Sequence, residues 1–276
     1  MRNHPCHSVA VCLLAALGMV GSAWGANVAV LSNQYASECA ADLGAHLPGH
    51  TFTAVDVSSM TPTLASLAPY NVVLLFEDGT FSNSANVGPV VAQFAQTGRG
   101  VVLGTFYNQD RSDAGGNGWG ALETLDPCTT DGQGTTYDPN TLDPASIVPH
   151  PLTAGVATLT SSGYSAGNQA KPGTTVLALW TNLNALGNPD PLISYRVTGP
   201  ALVIDISIAP HYGYLMSVGN GSFSGDFYKI WDNAFTFAAS GASAQQGIPA
   251  ASPWGLAALA LMIALAGAAL LVMRRA

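Results

Sequence analysis

Tyr70-Asn-Val-Val-Leu-Leu-Phe-Glu77 and Gly100-Val-Val-Leu-Gly-Thr-Phe106, with the helical stretch Ser84 to Gln96 between them, decide the fold. Both flanking runs are short and almost continuously apolar. A strand with one wet face would alternate, so these two are buried on both faces, as strands of a parallel sheet are. Between them Val87, Val90, Val91, Phe94 and Ala95 recur at helical spacing, and Gly98 closes the helix. The pattern extends towards the N-terminus. Asn27 to Leu31 reads as a strand, Ala36 to Leu47 as a helix ended by Pro48-Gly49, Thr51 to Val57 as a second strand, and Thr63 to Leu67 as a short helical segment. Strands alternating with helices predict an α/β domain with a doubly wound sheet.

Beyond Phe106 the periodicity stops. Residues 108–149 are rich in Gly, Asp, Asn and Thr and read as one long loop. Strand-like runs return at Thr175 to Trp180, Leu192 to Val197, Ala201 to Ile208 and Tyr214 to Val218, and an amphipathic helix from Asp226 to Ala239 follows. Short turns such as Thr198-Gly199-Pro200 join several of these runs, so this half reads as hairpins added to the parallel sheet. The order fits a flavodoxin-like core. In such sheets ligands bind beyond the carboxyl ends of the strands. That rule selects Asn33 after the first strand, Glu77 and Asp78 after the third, Tyr107 and Asn108 after the fourth, and His150 at the loop's return as a candidate ligand pocket. Adjacent carboxylates beside an amide and a phenol suit a sugar, but they equally suit the capping of a turn. No confident catalytic residue emerges, and no cofactor is implied. The loop acids Asp110, Asp113, Asp126, Asp131, Asp138 and Asp143 match no calcium-loop spacing, so no metal site is expected.

The two ends belong to another layer of organisation. Residues 1–25 carry Arg2, an apolar run from Val9 to Val20, and small residues around Ala23-Trp24-Gly25-Ala26, the layout of a secretory signal peptide. Residues 26–240 form the expected exported domain. It holds Arg99, Arg111, Lys171, Arg196 and Lys229 against all sixteen acidic residues, a net charge of −11. Such a surface repels phosphate backbones, so nucleic acid is excluded as a partner. Of the four cysteines, Cys6 and Cys12 fall in the signal segment, and Cys39 and Cys128 remain as a possible disulfide.

Residues 241–253 begin as a small polar linker and run into Ile248-Pro249-Ala250-Ala251-Ser252-Pro253-Trp254-Gly255. Residues 254–273 are uncharged and apolar, long enough for one transmembrane helix, and 274–276 form a basic cytoplasmic end. Ile248, Pro249, Ser252, Trp254 and Gly255 resemble the IPTL-type C-terminal sorting domain, whose members read Ile-Pro-Thr-Leu-Ser-x-Trp-Gly ahead of an apolar helix. Ala250-Ala251 departs from that pattern. The resemblance implies an exosortase-like membrane protease as partner and a place at the bacterial cell surface, membrane-anchored or sorted there.

The domain itself resembles the class I glutamine amidotransferase-like superfamily, in particular its ThuA-like branch. The likeness is carried by Tyr70 to Leu74 with Glu77-Asp78-Gly79, by Gly98-Arg-Gly-Val-Val-Leu-Gly-Thr105, by His150-Pro-Leu-Thr-Ala-Gly-Val156, and by Gly173-Thr-Thr-Val-Leu-Ala178. Catalytic members place a cysteine in Gly-x-Cys-x-Gly after the fourth strand, where this chain reads Gly104-Thr105-Phe106-Tyr107-Asn108. A phenyl ring cannot attack a carbonyl. Pro210-His211-Tyr212 offers the family's histidine without its neighbouring acid. The resemblance thus implies a non-catalytic domain serving binding or structure, with surface glycan or cell-envelope material as the class of ligand. The alternative is a ThuA-like enzyme acting on carbohydrate or another small substrate.

Overall fold

The computed structural model describes residues 25–241, apart from 131–134, 137–138, 166 and 185. The signal segment up to residue 24 and the sorting motif, linker and apolar tail from 242 onward lie outside the described residues. Among the described residues no helix is long and apolar enough to cross a membrane.

The elements follow in chain order. β1 (Asn27–Ser32), α1 (Ala36–His46), β2 (Thr51–Asp56), β3 (Val72–Leu75), α2 (Ser84–Gln96) and β4 (Gly100–Gly104) form the first half. Short pieces follow: β5 (Cys128–Thr130), β6 (Thr135–Thr136), β7 (Asn140–Thr141), β8 (Leu159–Ser161), β9 (Tyr164–Ser165) and β10 (Asn168–Ala170). The second half is β11 (Thr175–Leu183), β12 (Pro189–Thr198), β13 (Ala201–Ile206), α3 (Tyr212–Ser217), β14 (Phe223–Gly225) and α4 (Phe227–Ala239). The main sheet has seven strands in the order β11-β12-β13-β4-β3-β1-β2. Five of them, β2, β1, β3, β4 and β13, are parallel, and β12 and β11 add an antiparallel hairpin at one edge. The parallel strands thus stand in the flavodoxin-like order 2-1-3-4-5.

Alternation along each strand explains the apolar runs. Val28, Val30, Val72, Leu74, Val102 and Ile204 face one core, shared with α1 and α4. Ala29, Leu31, Val73, Leu75, Val101, Leu103 and Val203 face the other, under α2. Every residue of the third and fourth strands is therefore buried. The free edge of β11 is covered by the returning loop. Asp143 N–H donates to Leu179 O and Val148 N–H to Leu177 O, each at 2.9 Å.

One close approach fixes how α2 docks. A Cβ added at Gly88 would lie 2.0 Å from the Trp119 carbonyl oxygen. That neighbour is backbone and cannot swing aside, so Gly88→Ala is expected to cost about 1–3 kcal/mol. A urea midpoint equal to that of the unaltered chain would count against this docking.

Four sequence expectations are corrected. Residues 108–149 are not one loop: 3-10 turns at Tyr107–Asp110, Ser112–Ala114 and Gly120–Thr124 come first, and β5, β6 and β7 follow them. Ion pairs of Arg111, Asp126 and Lys171, described below, hold the first part of this segment. Tyr214 to Val218 is the end of helix α3, not a strand. The apolar run is too short for its period to choose, and packing decides: Gly213 approaches α1 so closely that a Cβ there would lie 1.9 Å from Asp42 Oδ2. Thr63 to Leu67 forms turns rather than a helix. Cys39 and Cys128 are buried free thiols, not a disulfide. Cys39 packs in the α1 core, while Cys128 Sγ lies 3.5 Å from Ser194 Oγ on β12.

Candidate functional site

The carboxyl ends of β1, β3, β4 and β13 bring four segments together: Ser32 to Tyr35, Phe76 to Phe81, Thr105 to Asn108, and Ser207 to His211. Asn33 and Asp78 meet here. The Asn33 side chain accepts from the Asp78 N–H at 3.0 Å and donates to the Asp78 carbonyl at 2.9 Å. Its amide is used up in tying the first strand's turn to the third's.

Asp78 keeps its carboxylate partly open and finds a partner that the sequence did not assign. His211 Nε2 lies 3.2 Å from Asp78 Oδ2. His211 is fully buried, stacked between Phe76 at 5.0 Å and Tyr35 at 5.5 Å, and neither ring nitrogen makes an aligned hydrogen bond. Tyr35 is the one non-glycine residue with positive φ among those described, at 58°. An aromatic residue held there stores local strain, a feature that gathers at ligand-binding turns. A cleft of about 140 Å³ opens beside this turn, lined by Ser32, Asn33, Gln34, Tyr35, Glu38 and Asp56 among others.

Glu77 turns inward. It is fully buried, and neither carboxyl oxygen has an N–H or O–H donor. Burial pushes its carboxyl well above the usual range, and the neighbouring carboxyls of Asp110 and Asp78 push it further. Both effects favour the protonated form of Glu77, and the neighbouring Asp110 carboxylate accepts the Phe81 N–H. Glu77 is a buried acid behind the cleft wall rather than a ligand-facing group.

The other candidates do not converge on this cleft. Tyr107 is buried, donating to Asp126 Oδ2 at 2.8 Å and accepting the Trp119 indole N–H on its carbonyl at 2.9 Å. Asn108 is buried too, donating to Asn168 Oδ1 at 2.7 Å. Both serve the packing of the 107–130 segment against the sheet. His150 lies at the opposite end. It accepts the Leu152 N–H within its own turn and packs on Tyr195 and Phe237, and Ala238, the next residue, presses on Gly100 at the start of β4. A Pro-His-Pro step signals only a turn, and the structure gives it that role.

The turn after the fourth strand is closed by an aromatic side chain. Phe106 is fully buried, its ring centroid 6.2 Å from that of His211. The two thiols elsewhere are fully buried, and burial raises both well above the ordinary thiol range. Neither is poised to form a thiolate. Among the described residues no group of three or more His, Cys, Asp or Glu side chains is arranged to hold a metal ion.

No protein-family model matches the chain, and no curated protein matches it either. Solved structures do. The cytoplasmic protein STM1381 from Salmonella typhimurium LT2 superposes with a TM-score of 0.57 at 13% identity, over 77% of this chain and 99% of that one. A putative ThuA-like protein from Bacteroides uniformis gives a TM-score of 0.41 at 12% identity, over 77% of this chain and 88% of that one. A β-galactosidase from Rahnella sp. R3 gives 0.41 at 12% identity, over 80% of this chain but only 31% of the enzyme. The likeness to STM1381 is one of fold: a mixed α/β domain around a parallel central sheet.

Proposed function

We propose that residues 26–240 form an amidotransferase-like binding domain without hydrolase or transferase chemistry, exported and held at the bacterial envelope by the C-terminal tail. Phe106 carries the reading. In the superfamily that the sequence resembles, this is the nucleophile's place, and here a fully buried phenyl ring fills it against His211. The presence of a ThuA-like protein among the structural neighbours is compatible with this reading.

The surface left for a ligand is the cleft at Ser32 to Tyr35 with the open edge of Asp78. It offers a carboxylate, an amide side chain at Gln34 and the Tyr35 ring, which suit the hydroxyls and C–H face of a sugar. Binding to envelope glycans should therefore fall at least about tenfold in Asp78→Asn, since a charge-assisted hydrogen bond is lost. Calorimetry against soluble cell-wall fragments measures it, and equal affinity of the two proteins would remove the cleft from consideration.

Ile248, Pro249, Ser252, Trp254 and Gly255 are the residues on which recognition by an exosortase-like protease would rest. An intact mass that still includes residues 254–276 in the surface form would mean a permanent anchor instead of a sorted product. A second reading, a ThuA-like enzyme, draws on one observation, the 3.2 Å approach of His211 to Asp78. Turnover of any substrate that disappears in Asp78→Asn would favour it over simple binding.

A further inference from the structure

Ala26 is the first residue of the expected exported domain. Gly25 is exposed, whereas Ala26 is 1% exposed and already paired: its carbonyl accepts the Thr51 N–H at 2.9 Å. Its own N–H donates to His50 Nδ1 at 2.8 Å, and His50 Nε2 lies 3.1 Å from Asp232 Oδ1. Because Nδ1 accepts, Nε2 carries the proton and donates to Asp232. The result is a relay from buried Ala26 and His50 to half-exposed Asp232 at the amino-terminal end of the sheet, away from the cleft described above. At Gly25 an added Cβ would lie 1.6 Å from the Gly49 carbonyl oxygen, so a side chain is excluded there while the chain continues through it. The same position is the minus-one site of the signal layout, which also asks for a small residue.

We propose that export leaves Ala26 as the first residue and that its new α-ammonium is bound by His50, backed by Asp232, so that processing completes the fold. This rests on the export reading. The step is a hydrolysis by a signal peptidase. Water adds its oxygen to the Gly25 carbonyl carbon, the C–N bond to Ala26 breaks, and the released amine takes up a proton while Gly25 leaves as a carboxylate. A neutral N–H donor to His50 thereby becomes a charged one, and charge-assisted hydrogen bonds are roughly twice as strong. A cleft of about 300 Å³, lined by Gly49, Tyr228, Lys229 and Asp232 among others, opens at the Asp232 end of the relay.

The charged and titratable groups around the relay come from three elements. The turn before β2 gives His50. α1 gives His46, stacked on Tyr228 at 3.9 Å, and Asp42, which accepts from the Tyr228 hydroxyl. α4 gives Tyr228, Asp232 and Lys229, whose Nζ stands 3.9 Å from Asp232 Oδ2 and competes for it. A held ammonium stabilises the fold fully below the ordinary α-amino range of about 8, and the contribution is lost as pH rises through the folded group's own titration.

The test uses the exported full chain. Mass spectrometry should give Ala26 as its first residue. Its melting temperature should fall by about 3 °C between pH 7 and pH 9.5. Asp232→Asn, at a half-exposed position, should lose at least half of that fall. Ala23→Phe, which blocks the minus-three site and keeps the leader attached, should lose the ammonium's share of it and keep only the fall that the buried thiols and Asp205 give to every form. An exported chain that starts elsewhere, or equal alkaline profiles in the three proteins, overturns the proposal while leaving the export reading intact. A chain retained in the cytoplasm with Met1 in place overturns both.

Discussion

Arg111→Ala is expected to destabilise the domain by about 3–5 kcal/mol, the usual cost of removing one partner from a buried ion pair. Arg111 and Asp126 are 3% and 1% exposed. The guanidinium holds the Asp126 carboxylate through Nη1 and reaches Asp113 with Nε at 2.8 Å and Nη2 at 3.1 Å, while Lys171 takes the other Asp126 oxygen. Burial nevertheless wins at Asp126. Its carboxyl is raised to about 6 even though Arg111 and Lys171 both pull it down. Without Arg111 the balance moves further, and Asp126 becomes protonated or stays charged and underpaired. The loss should appear as a melting temperature lower by roughly 10 °C. The double variant Arg111→Met with Asp126→Leu should recover much of it, since an apolar pair of similar volume is often neutral. A single substitution costing under about 1 kcal/mol would mean that these residues do not order the 107–130 segment.

That network also shows why half of the fold was legible in the sequence and half was not. Strands β1, β3 and β4 are buried on both faces, so Val28 to Leu31, Val72 to Leu75 and Val101 to Leu103 print as apolar runs that need no other signal. The 107–130 segment is just as fixed, but by Arg111 with Asp126, by Tyr107 with Trp119, and by Asn108 with Asn168. Pairings of that kind have no period. Their residue types, Asp, Asn, Gly and Thr, are the same ones that signal a mobile loop.

The site divides the same way. Asn33 with Asp78 follows from a rule about strand ends, whereas His211 with Asp78 joins turns far apart in sequence. Its one available hint was the histidine following the last parallel strand. Glu77 was selected by that same rule and failed it. Adjacent residues at a strand end point to opposite sides, and here Asp78 took the open one.

Stability should rise on acidification, which is unusual for a chain with sixteen acidic residues and follows from where three of them lie. Asp205 on β13 is raised to about 7, chiefly by burial and next by the Asp126 charge, against the Cys128 thiol and Asn108 amide that favour its charged form. Asp126 is raised to about 6, and Glu77 is raised well above its ordinary value, first by burial and next by Asp110. In each case the folded chain holds a proton that the unfolded chain gives up near pH 4. Their contribution is therefore complete below about pH 4 and is lost as pH rises through 6 and 7. Asp56, Glu123 and Asp226 are lowered, so what they add is lost only below about 4 and does not compete in this window. His150 does compete: burial lowers it, so its share is lost as pH falls below the ordinary histidine value of about 6.5. These three and Asp42, which burial also raises, outweigh one part-buried imidazole. Between pH 8 and pH 5 the net gain is on the order of 2 kcal/mol, roughly 5 °C in melting temperature. Asp205→Asn removes the carboxyl raised to about 7 and should both raise stability at pH 8 and flatten the profile. A melting temperature that falls steadily from pH 8 to pH 5, in the original chain and in Asp205→Asn alike, would mean that these carboxyls are charged in the folded protein.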